Sequence, residues 1–181
     1  MKKGVVVLLI GIVLGLAVSF VTAVVVEKTS TPKFCGSCHT MKPMVKSFNI
    51  SVHGSNNKHG YSVAHCTDCH LPHDSLAGYL VAKGITGIKD GLIEIGMFKN
   101  PDFEKKYAEM SSYVYDSGCL KCHTGIKNPS AAYKMSEASK YAHKLYWKEK
   151  KEHKNISCVS CHNDSTNPNF AHPELLERIS K

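Results

Sequence analysis

The chain opens with its most uniform stretch. After Met1-Lys2-Lys3, residues Gly4 to Val26 run on without a charge. At 1.5 Å per residue, a helix over 4–26 crosses a hydrocarbon core of about 30 Å. The two lysines ahead of it place residues 1–3 in the cytoplasm by the positive-inside tendency. A cleaved secretory signal is the rival reading. A signal's apolar region is shorter, about 7–15 residues, and Val21-Thr22-Ala23 followed by three valines is a poor cleavage site. The pattern favours a retained anchor. Residues 27–34 form a short tether, each residue reaching at most about 3.5 Å, so whatever follows stays close to the lipid headgroups.

Beyond the tether the apolar residues scatter. Met41 to Ala64 reads as polar and loop-like, with Gly54, Asn56, Asn57 and Gly60 as turn formers. In 76–98, Leu76, Tyr79, Leu80, Ile88, Leu92 and Ile95 fall at helical spacing, with Asp74 or Ser75 placed to cap. Its glycines weaken the helix or permit close approach of another surface. Lys83 and Asp90 are two turns apart and share a face. The segment reads equally as an interfacial membrane helix or as a packed helix with a solvated lysine and aspartate. Asn100-Pro101-Asp102 breaks the chain, and a short helix follows over 103–110. Residues 130–153 are rich in helix formers, with Ala132, Met135, Ser139, Ala142, His143 and Tyr146 as the less charged side. A polar loop over 163–170 and a short charged tail close the chain.

Into this thin pattern the cysteines bring the chemistry. All 8 lie in four Cys-x-x-Cys-His units: Cys35, Cys38 and His39; Cys66, Cys69 and His70; Cys119, Cys122 and His123; Cys158, Cys161 and His162. This is the signature of covalent c-type haem attachment, in which both thiols add to the haem vinyls and the histidine meets the iron. Zinc sites also use Cys-x-x-Cys pairs, but they do not require a histidine straight after each pair. Four such histidines arise by chance with odds on the order of one in a hundred thousand. Four covalently bound haems also supply the volume that the scattered apolar residues do not. The expected fold is mainly α: one transmembrane helix plus a small haem-packed α domain, 35–181, with much irregular structure. The net charge of +8 offsets haem propionates and suits an anionic membrane surface. No basic-aromatic arrangement argues for nucleic acid.

The first unit alone continues to x-Met, as Cys35-Gly-Ser-Cys-His-Thr-Met41, which sets the haem nearest the membrane apart. Outside the motifs stand His53, His59, His65, His73, His143, His153 and His172. A six-coordinate haem passes electrons with little rearrangement, whereas an open iron binds small molecules. His143, on the quieter side of its helix, is the best distal candidate, and periodicity does not choose among the others.

The four motifs, the anchor, the x-Met extension, Ser51-Val-His53, Cys66-Thr-Asp-Cys-His-Leu-Pro72, and Lys83 with Asp90 together resemble the NapC/NirT family of membrane-anchored tetrahaem quinol dehydrogenases. The likeness covers essentially the whole chain and is closest to small subunits of cytochrome c nitrite reductase. It implies that Met41 rather than His39 ligates the first haem, and that quinol binds its opposite face, lined by Lys83 and Asp90. It further implies His53 as distal ligand of the fourth haem, His172 of the third, and His143 of the second. Two departures stand out. His172 lies ten residues beyond His162, where the family's histidine usually comes sooner. The second haem of a nitrite reductase small subunit can also take a lysine from its partner.

The resulting expectation is an enzyme, a quinol dehydrogenase of anaerobic respiration. It oxidises menaquinol at the outer membrane face and feeds a periplasmic multihaem reductase, cytochrome c nitrite reductase first among candidates. The alternatives are an anchored relay without its own quinol site, or a general donor to several periplasmic reductases. A terminal reductase would need an open catalytic haem, and no Cys-x-x-Cys-Lys motif is present.

Overall fold

The computed structural model describes residues 2–54, 64–131, 134–152 and 154–162. Eight α-helices joined by short 3-10 turns account for its regular structure, with no strand among the described residues. His172, the 163–170 loop and the tail lie outside them, as do His59 and His153.

Helix α1 (Lys2–Lys28) is apolar on every side, and the side chains of its membrane-length span are not buried against the rest of the chain. Both properties belong to a helix whose surroundings are lipid. The helix continues two residues past the apolar run. After it Thr31 caps the short α2 (Pro32–Cys35), accepting from Phe34 N–H at 3.2 Å, with Pro32 at the first helical position. The tether is thus largely helical turns, not an extended strap.

Helix α3 (Lys42–Ile50) corrects the reading of 41–64 as loop. Pro43 looks like a breaker, but within the first turn its missing N–H costs nothing. Val45 packs over Gly36, fastening α3 to the first motif. Helix α4 (Cys66–His70) carries the second motif, and α5 (Leu76–Glu94) bears out the helix read in 76–98. Ser75 caps α5, accepting from Gly78 N–H at 3.1 Å. Its end is a Schellman turn: Gly96 N–H donates to Ile93 O, Met97 N–H to Leu92 O, and Gly96 takes φ +80°. Only glycine adopts that φ without strain.

Helices α6 (Phe103–Ala108), α7 (Asp116–Cys122) and α8 (Glu137–Lys151) complete the set. Helix α8 starts later than the composition suggested. Residues Pro129–Ala131 form a 3-10 turn, and Ser136, accepting from Ser139 N–H at 3.2 Å, sets the true beginning. A good cap outweighs a few residues of helix-favouring composition.

Buried apolar side chains among the described residues are few: Leu71, Met110, Val114 and Val159. Contacts between the motifs replace a core. Tyr115 N–H donates to Cys69 O at 2.9 Å, and Lys121 pairs with Asp68 at 2.7 Å. Gly118 lies so close to the Asp68 carbonyl that a Cβ would overlap it, which locks α7 against α4. Asp116 ties the third motif to the fourth: it accepts from Cys158 N–H at 2.8 Å and Tyr146 O–H at 2.6 Å, and pairs with Lys150 at 2.9 Å. Trp147 Nε1–H donates to Ile126 O at 2.7 Å and seats α8 on the turn after the third motif. Motifs one and two are neighbours as well: the nearby Cys66 thiol draws the Cys35 thiol down to about 7, as Cys158 does that of Cys119.

Candidate haem sites and the membrane-facing pocket

The two cysteines of the first and fourth units sit in different backbone settings. Helix α2 stops at Cys35, so Cys38 lies beyond it in extended backbone (φ −80°, ψ 132°), half-buried, with its carbonyl accepting from Met41 N–H at 3.1 Å. Cys161 likewise follows the 3-10 turn Cys158–Ser160 and is exposed, its N–H donating to Cys158 O at 3.2 Å. In the second and third units both cysteines lie within one helix, α4 or α7. All eight thiols are free of disulfides, as vinyl attachment requires.

Two imidazoles that bind one metal from opposite sides, each through a bond of about 2 Å, have ring centroids roughly 6 Å apart. Two pairs in the structure meet that distance. His53 and His123 are 6.1 Å apart and nearly perpendicular (83°), and His143 and His162 are 6.2 Å apart and nearly parallel (11°). This pairing differs from the one the resemblance implied. His53 faces the third motif, not the fourth, and His143 faces the fourth, not the second. The reason is tertiary: α8 is drawn over the fourth motif by the Asp116 and Trp147 contacts, and sequence order carries no trace of that.

Two of the rings also have their tautomer set for metal binding. His143 Nδ1 lies 2.8 Å from Ser139 O, one turn back on α8, and His70 Nδ1 lies 3.2 Å from Tyr113 O. A proton held on Nδ1 leaves the Nε2 lone pair for the metal. His70 stacks on Tyr113, with centroids 5.6 Å apart, rather than facing a histidine. His73 spends its Nε2 on Thr67 O at 3.1 Å. The free thiols, the opposed imidazoles and the sparse core all fit c-type haem. By contrast, no three His, Cys, Asp or Glu side chains converge among the described residues, as zinc would require.

The first motif is arranged differently. Met41 closes a 3-10 turn over His39–Met41. Glu94, at the end of α5, gathers that turn: it accepts from His39 N–H at 2.9 Å and Thr40 Oγ1–H at 2.9 Å, and lies 2.6 Å from His39 Nδ1. Burial would raise the Glu94 carboxyl, but the hydrogen bonds from His39 and Thr40 hold it below the usual range. Sequence reading missed Glu94. One turn after Asp90, on the same face, it was within reach of the same periodicity argument.

Lys83 and Asp90 lie on one face of α5, and the Cys35 thiol is drawn down by the Lys83 charge and pushed up by that of Asp90. Lys83 Nζ–H donates to Thr29 O at 3.2 Å and Ser30 Oγ at 3.0 Å, at the end of α1. Tyr79 O–H lies 3.3 Å from the same Ser30 Oγ. Asp90 is exposed, yet the protein around it raises its carboxyl above the ordinary aspartate range, against the pull of Lys89 and His70. A carboxyl raised in this way is suited to exchanging a proton near neutral pH.

Comparison with known proteins agrees with this geometry. Residues 1–172 match the family described as "NapC/NirT cytochrome c family, N-terminal region". The cytochrome c-type protein TorC of Escherichia coli K12 is 31% identical over 84% of this chain, which spans only 39% of TorC. The tetraheme c-type cytochrome CymA of Shewanella oneidensis is 32% identical, covering 89% of this chain and 88% of its own. The cytochrome c nitrite reductase subunit NrfH of Nitratidesulfovibrio vulgaris is 30% identical over 72% of this chain and 74% of its own. Among solved structures, the cytochrome c nitrite reductase NrfHA complex bound to the HQNO inhibitor contains a chain of similar fold. Its TM-score is 0.55 and its identity 24%, with 87% of this chain and 88% of that one covered.

Proposed function

This chain belongs to the NapC/NirT cytochrome c family, and from that premise we propose that it oxidises menaquinol at the outer face of the cytoplasmic membrane and passes the electrons to a periplasmic reductase. Helix α1 is the single span, with residues 1–3 cytoplasmic and the domain over 35–181 periplasmic. Four haems, which when bound accept electrons singly, would be held by Cys35 with Cys38, Cys66 with Cys69, Cys119 with Cys122, and Cys158 with Cys161. Met41 would hold the first iron, His70 the second, His123 with His53 the third, and His162 with His143 the fourth.

The observation that carries the reading is the docking of α5 onto the end of α1 through Lys83, with Asp90 on the same face of the helix. Quinol releases two electrons and two protons per molecule. Lys83, held at Thr29 and Ser30, donates a hydrogen bond to a quinol oxygen and orients the ring. Asp90, when ionised, takes a proton from the hydroxyl. A ring at this place stays near the lipid from which it came.

The partner is read as a multihaem reductase, cytochrome c nitrite reductase first. Among the described residues His70 has Tyr113 rather than a histidine beside it, which fits a second ligand brought by the partner. A general donor serving several reductases is the second reading, favoured by the near full-length match to CymA. Asp90→Asn in the holoprotein tests the quinol site. Rapid mixing with a menaquinol analogue should show oxidation slowed at least about 100-fold, while dithionite still reduces every haem. Unchanged quinol oxidation overturns the site.

A further inference from the structure

We propose that α5 lies on the bilayer surface beside the point where α1 leaves it, so that this chain meets lipid through two elements instead of one. Helix α5 is amphipathic in an inverted sense. At about 100° per residue, Tyr79, Lys83, Asp90 and Glu94 fall on one face. That face meets the protein at both ends, with Asp90 between them exposed: Tyr79 and Lys83 bond Ser30 and Thr29, and Glu94 bonds His39 and Thr40. The opposite face carries Val81, Ile85, Ile88 and Ile95, which are 61%, 64%, 68% and 71% exposed. Met97 and Phe98 extend it past the Gly96 turn and are also exposed. A surface helix in water turns such a stripe inward and its charges outward. Here the arrangement is reversed.

The attachment of α5 identifies what covers the stripe. Its polar face is bonded to Thr29 and Ser30, directly after the apolar span of α1, which holds α5 at the level where that span ends. The charges around it fit as well. Lys28 and Lys33 flank the end of α1, and Lys89 and Lys99 flank the stripe, all four exposed. Exposed lysines bordering an apolar stripe at this level match anionic headgroups above acyl chains. A second copy or a reductase subunit would need a complementary apolar patch of its own at the height of the headgroups.

The inference does not rest on the quinol reading. The test uses full-length holoprotein in phosphatidylcholine–phosphatidylglycerol vesicles containing a lipid with a diazirine in its acyl chain. After illumination, labelled peptides are mapped by mass spectrometry. Label is expected in the peptide spanning 81–98 as well as in α1. Replacing Val81→Ser, Ile85→Ser and Ile88→Ser together should cut α5 labelling several-fold and leave α1 labelling unchanged. If that variant loses haem, Ile88→Ser alone carries the measurement. Label confined to α1, α5 label indifferent to the serines, or α5 cross-linked to another polypeptide in place of lipid each overturns the proposal. Quinol oxidation is read separately, so failure of either idea leaves the other standing.

Discussion

Around the third and fourth motifs, imidazole faces imidazole: His53 stands 6.1 Å from His123, and His143 stands 6.2 Å from His162. Around the first motif, His39 turns to Glu94, and Lys83 of the same helix bonds the end of α1. An iron capped on both sides exchanges electrons and little else, while one with an open side meets a substrate. The same five-residue motif therefore stands in two settings within one chain, and its neighbours decide which. Near the membrane the neighbours come from α5; farther out they come from the loop after α3 and from α8.

The comparison breaks most completely if the opposed pairs do not share an iron. His143→Ala and His162→Ala should each convert one low-spin haem to high-spin, and the double variant should convert no more than either single one, because both residues serve the same metal. Electron paramagnetic resonance of the holoprotein reads this directly. Two converted haems in the double variant would return His143 to the second motif.

The distal half should also be the more easily loosened by one charge. Although burial would raise the Asp116 carboxyl, hydrogen bonds from Tyr146, Cys158 N–H and Lys150 hold it below the usual range. Asp116→Ala should cost about 2–3 kcal/mol, as expected when a charged hydrogen-bond acceptor is removed, measured by denaturant unfolding. A carboxylate with a lowered pKa in the fold adds stability above its unfolded pKa, lost as pH falls through the folded one. Acid below about pH 4 should therefore weaken the wild type, and the Asp116→Ala protein should be less sensitive over that window.

At the membrane end the carboxyl is shifted the other way. Although Asp90 reaches solvent, its partial desolvation by the surrounding protein raises it, so its ionised form appears at higher pH than for an ordinary aspartate. Quinol oxidation should climb with pH through a limb above that ordinary range, and Asp90→Glu should move the limb without abolishing it. A flat profile separates Asp90 from the proton. The smallest effect is expected at Glu94→Gln. It keeps the size of the side chain but weakens its hold on His39 and Thr40, and should shift the spectrum of the first haem while leaving the other three unchanged.

Some of this was legible without coordinates, for local reasons. Helix α1 follows from an unbroken apolar run, and α5 from helical spacing with Ser75 as its cap. The haem sites follow from covalent spacing that no tertiary context alters. That Lys83 and Asp90 share a face needs only the helical repeat. Four features were not legible. Helix α3 was hidden because Pro43 reads as a breaker until its place in the first turn is known. The start of α8 was hidden because a cap at Ser136 outweighs the composition before it. The separate settings of Cys38 and Cys161 were hidden because identical motifs do not reveal where a helical turn stops. The partner of each imidazole was hidden because opposition across a haem joins residues some twenty to seventy positions apart.

The sequence by itself determined which cofactor the chain can carry and that its first site differs from the rest, since both are written in adjacent residues. Only the tertiary structure decided which histidines face each other, that Glu94 takes hold of His39, and that α5 turns Lys83 and Glu94 inward and its isoleucines out. Those outcomes depend on how Asp116, Gly118 and Lys83 dock one element on another, and such contacts join positions that no local pattern links.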